Sequence, residues 1–139
     1  MRFFVEDGQP LTFDELASGL RGIDPEFRIE ADGSVYRCDE LLGQMEISAA
    51  GDERFQDEIG EFVEMIEGTD EEGKEDVAGR LRQVTAVLAV QVLMQERTLA
   101  QTLDLLDPLW AWLLVHRGGL VHADGEGFYE GTELILALE

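Results

Sequence analysis

The residues Val84 to Met94, VTAVLAVQVLM, are apolar nearly all round and include five β-branched side chains in eleven. A run of this kind is buried, either as a strand or as the end of a long buried helix. The β-branched enrichment favours a strand from about Ala86. On each side of it lies a segment that reads as a helix followed by an apolar strand, a pattern that suits a sheet covered by helices.

The elements before it follow from period and punctuation. Arg2 to Val5 reads as a short strand ended by Asp7, Gly8 and Pro10. Thr12 and Glu15 have capping-box spacing, and Phe13, Leu16, Ala17 and Leu20 make one apolar face before Gly22 and Pro25. Phe27 and Ile29 alternate with polar neighbours, Ala31-Asp32-Gly33-Ser34 makes a turn, and Val35 to Cys38 continues extended. With a third strand at Leu42 to Ser48 this predicts a small antiparallel meander. A helix from Asp52 or Glu53 to about Glu67 comes next, then a loop over Gly68 to Gly73, and another helix from near Lys74 with Val77, Leu81 and Val84 inward.

After the apolar run, Thr98 caps a helix carrying Leu99, Leu103 and Leu106, and Asp107-Pro108 reads as a restart through Trp110, Trp112, Leu113 and Leu114. Gly118-Gly119 ends it, Leu120 to Ala123 forms a strand, Asp124 to Gly127 turns, and Leu134 to Leu138 makes a last strand. The expected fold is α+β: a two-layer sandwich whose mixed, mostly antiparallel sheet carries about four helices on one face. At 139 residues the chain fits a single domain, 1–139, large enough to bury a core without metal or disulfide staples.

Charge decides what such a domain can touch. Asp52 to Asp76 holds twelve carboxylates against Arg54 and Lys74, about half of the formal net charge of −21. A field of that sign attracts basic surfaces and repels nucleic acid and anionic membranes. On a helical wheel of about 100° per residue, Phe55, Ile59, Phe62, Val63 and Ile66 share one arc. Glu53, Asp57, Glu61, Glu64 and Glu67 gather on the opposite side, so one face packs and the other is a carboxylate ridge. Like charges at i,i+4 cost roughly 0.2–0.5 kcal/mol each, a load the helix can carry without any compensating function. Nine of the ten basic residues are arginine, a balance that genome composition or a salt-rich cytoplasm would also produce.

Cys38 is the sole cysteine, so neither an intramolecular disulfide nor a cysteine-rich zinc site can form. The start MRFFVEDGQP has too short an apolar stretch for a signal peptide. The longest apolar runs fall below the roughly 18 residues of a membrane span. The expectation is a soluble cytoplasmic protein without cofactor, with no nucleic-acid or membrane partner.

The segment His116 to Glu130, HRGGLVHADGEGFYE, holds the densest set of reactive side chains. His122 and Asp124 are two apart on a strand and share a face, the minimum for two metal ligands or an acid–base pair, with Glu126 or Tyr129 as a third group. The turn fails as an EF-hand, because Phe128 stands where an oxygen ligand is needed. A plain glycine-bearing hairpin with solvated acids is the favoured account of the segment. Ser18, Ser34 and Ser48 lie in no nucleophile elbow, Cys38 has no catalytic-thiol signature, and Gly125-Glu126-Gly127 lacks the rest of a phosphate loop.

Trp110 and Trp112 project about 200° apart on a helix, so one of them, Trp112, is a candidate interface anchor. Three functions follow. The first is a non-catalytic protein-binding or regulatory module presenting Glu53, Asp57, Glu61 and Glu64 to a basic protein. The second is a metal-dependent or hydrolytic enzyme with its site at 116–130, using His122, Asp124 and Glu126. The third is a homodimeric structural domain.

Overall fold

The structure, a computed structural model, describes residues 1–131 and 133–138. In chain order the elements are β1 (Arg2–Val5), α1 (Phe13–Ile23), β2 (Phe27–Ile29), β3 (Ser34–Arg37), β4 (Glu40–Ala49), α2 (Glu53–Glu67), α3 (Lys74–Leu81), β5 (Ala86–Val92), α4 (Leu99–His116), β6 (Gly119–Ala123), β7 (Gly127–Glu130) and β8 (Glu133–Ala137). The eight strands form one sheet in the order β2-β3-β4-β5-β1-β6-β7-β8. Every pairing is antiparallel, so the sheet is not mixed.

The α+β sandwich is present, and Ala86 onward is indeed a strand, placed centrally between β4 and β1. The helices, however, do not share one face. Phe3 and Val5 of β1 belong to a core built with α1 and α4, whereas Phe4 between them belongs to a second core built with α2 and α3. On β5, Ala86, Leu88 and Val90 face the first pair of helices and Val87 faces the second. A central strand that is apolar on both sides needs cover on both sides, which a single helical layer cannot give.

The two helical layers are staggered across the sheet. The α1/α4 core reaches over β2, β3 and β4 through Phe27, Val35, Leu42 and Met45. The α2/α3 core sits over the other half, on Leu120, Phe128 and Leu136. On the α2 side of β4, Gln44 and Glu46 stand opposite Gln91 and Ala89 of β5, and that half of the sheet is polar and uncovered. Alternation along β4, polar outward and apolar inward, dictates which half stays bare.

Local signals explain the helix ends. Thr12 Oγ1 accepts from the Glu15 amide, and Thr98 with Gln101 forms a full capping box at the start of α4. Asp107-Pro108 does not restart the helix: α4 runs through Pro108 to His116, giving up only the bond that a proline cannot donate. Between β6 and β8 the chain makes an additional strand, β7, so the ending is a three-stranded meander and not a hairpin.

Candidate functional site

At the starts of β1 and β7 and the end of β6 the backbone places three side chains in one cross-strand row. His122 pairs with Arg2 on β1 and with Phe128 on β7, on the side of the sheet that α2 covers. The imidazole lies edge-on to Phe62 of α2 at 4.8 Å and against Phe128 at 4.9 Å. It is 7 % exposed and its Nδ1 has no hydrogen-bond partner. Burial pushes its pKa down, the Asp124 carboxylate pulls it partly back up, and Arg2 adds to the lowering.

Asp124 stands just past the end of β6, with Oδ1 3.6 Å from His122 Nδ1 and Oδ2 accepting from the Met1 amino group at 3.1 Å. Burial alone would raise this carboxyl, but its bond to the Met1 amino group and the charges around it hold it below the ordinary range. Arg2 completes the cluster, bonded to Glu58 of α2, lying over the Phe62 ring at 5.2 Å and 3.8 Å from Asp124. Glu126 points elsewhere, its Oε1 accepting from Tyr129 Oη at 2.9 Å, which raises the tyrosine pKa. So His122 and Asp124 meet and Glu126 does not join them. Among the described residues no group of three His, Cys, Asp or Glu side chains is placed to hold a metal ion.

The second candidate is the outward face of α2. Phe55, Phe62 and Ile66 are buried in the α2/α3 core with Ile59 and Val63 packed beside them. Glu53, Asp57, Glu61, Glu64 and Glu67 are exposed, so the predicted division of this helix into a packed stripe and a carboxylate ridge holds. Arg54 pairs with Glu46 at 3.0 Å and Arg82 with Glu67 at 2.7 Å. Where α2 meets the bare half of the sheet there is an open cleft of about 480 Å3, bordered by Glu46, Glu53, Asp57, Glu58 and Glu61 together with Arg2 and Arg54.

Trp112 is not a surface anchor. It is 9 % exposed and Trp110 8 % exposed, both in the α1/α4 core. The wheel separates them correctly, but α4 is covered on two sides, by the sheet and by α1. The Trp112 indole fills a slot opened by Gly19 of α1 and stacks on His116 at 5.1 Å between centroids.

Arg117, unremarked in the sequence, is the most enclosed charge described: its side chain is 5 % exposed. It donates to Asp7 through Nε and Nη2, to Glu15 and the Pro10 carbonyl through Nη1, and to the Gln9 carbonyl through Nη2. That fork fastens the β1–α1 connection to the end of α4, a bidentate geometry that only arginine supplies. Its partners lie about a hundred residues away, and nothing in local spacing signals them.

No protein-family model matches the chain, and no curated protein and no solved structure matches it either.

Proposed function

We propose that this chain is a non-catalytic binding module that presents the α2 carboxylate face to a basic protein partner. The observation that carries the reading is the segregation of α2: its apolar stripe is fully engaged, while Glu53, Asp57, Glu61 and Glu64 are exposed beside an uncovered polar half of the sheet. The ridge is not neutralised on the helix, where Arg54 is the one base. Such a surface accelerates encounter with a positively charged partner and discriminates against anionic ones.

The test is binding of a Lys/Arg-rich peptide, followed by calorimetry at low and at physiological salt. Affinity is expected to fall steeply as salt rises, and to fall again when Glu53, Asp57, Glu61 and Glu64 are changed together to the amides. Binding that ignores both salt and the substitutions sinks the reading.

A further inference from the structure

On the α4 side of the sheet a notch lies between the start of α4 and the β6–β7 turn, bordered by Met1 and by the end of β5, whose Val90 amide donates to the Met1 carbonyl. Val90, Val92, Leu99 and Leu103 give it apolar walls, and Asp124 and Glu126 stand at its rim. The notch encloses about 340 Å3, at the small end of the roughly 300–1,000 Å3 typical of ligand pockets. Leu99 is 53 % exposed at its mouth, although the capping box fixes the turn that carries it.

We infer that this notch takes an apolar side chain of a basic polypeptide, whose flanking Lys or Arg residues pair with Asp124 and Glu126. The inference rests on the reading of the chain as an acidic binding module and adds the anchor that charge alone does not provide. Apolar walls reward burial of a hydrophobic group, and the rim selects the sign of what accompanies it. Both rim carboxylates take internal bonds, Asp124 from the Met1 amino group and Glu126 from Tyr129, yet the Asp124 side chain remains 67 % exposed. A second copy is disfavoured as occupant because each chain carries a formal charge of −21, and nucleic acid for the same reason.

Three synthetic peptides test this by titration with NMR detection: a Lys/Arg peptide with a central leucine, the same peptide with serine in its place, and an uncharged peptide with the leucine. The basic leucine peptide is expected to bind about tenfold more tightly than the serine one and to shift the signals of Val92, Leu103 and Ala123. Leu99→Ser, at a half-exposed position, is expected to bring the leucine peptide down to the serine level, and Glu126→Gln to weaken both basic peptides. Equal affinity for leucine and serine overturns the notch while leaving the binding-module reading standing. Failure of both basic peptides removes the two together. Tight binding of the uncharged peptide, or concentration-dependent dimerisation that shifts the same signals, overturns the basic occupant.

Discussion

Gly19 and Gly60 both lie inside helices, yet they are expected to respond oppositely to alanine. A Cβ on Gly60 of α2 meets nothing within 4 Å, so Gly60→Ala is expected to stabilise by about 0.5–1 kcal/mol. A Cβ on Gly19 would enter the Trp112 indole, so overpacking outweighs the propensity gain and Gly19→Ala should cost about 1–2 kcal/mol net. Urea denaturation of the two variants checks the pair. His122 gives a pH prediction. Burial lowers its folded pKa from the ordinary value of 6.5, so the unfolded chain takes up the proton first as pH falls. The stability it contributes is complete above about pH 6.5 and is lost as pH drops from there toward the folded pKa. Thermal melts in that window should show a slope that His122→Gln flattens. The residue scale is also where sequence reading was weakest. The pairing of His122 with Asp124 follows from strand period, but Arg2, Glu58 and Arg117 act through long-range contacts that no spacing encodes.

Helices and strands were legible because hydrophobic period and caps are local. The stripe on α2 and the capping at Thr12 and Thr98 rest on spacings of three or four residues, and the choice of strand for Ala86 onward on β-branched enrichment over eleven residues and on the segments flanking it. Strand β7 escaped because Gly127–Glu130 is short and begins at a turn glycine, leaving Phe128 and Tyr129 too little alternation to declare itself. The distribution of helices over two faces was present in the all-round apolar character of β5, which a single covered face cannot explain. For α2 a further prediction belongs at this scale. Glu64 is exposed near the C-terminal end, where the helix dipole disfavours an anion. Glu64→Lys is expected to raise stability by about 0.5–1 kcal/mol at low salt, as read from the urea midpoint, and to weaken capture of basic peptides at the same time.

Across the whole molecule the arginines are already committed. Arg2, Arg28, Arg37, Arg54, Arg80, Arg82, Arg97 and Arg117 each pair with a carboxylate, while Arg21 and Lys74 donate to backbone carbonyls. The Arg28, Arg54 and Arg82 pairs are exposed and worth about 0–1 kcal/mol each, and with 31 carboxylates against ten basic side chains repulsion among the surplus is expected to outweigh the attraction. Added sodium chloride at neutral pH should therefore raise the urea midpoint, and a fall would show that the pairs dominate. No helix among the described residues is long and apolar enough to cross a membrane.

The sheet keeps its two cores out of contact with each other, and α2 and α3 are consecutive in the chain between the adjacent strands β4 and β5. The segment 53–81 is therefore expected to open as a unit while Phe3, Leu88 and α4 stay packed. Native-state hydrogen exchange should find the amides of α2 and α3 opening together, at a lower free energy than those of β1 and β5. The helix with more carboxylates than any other element, six of the chain's 31, would then also be one that the molecule readily releases.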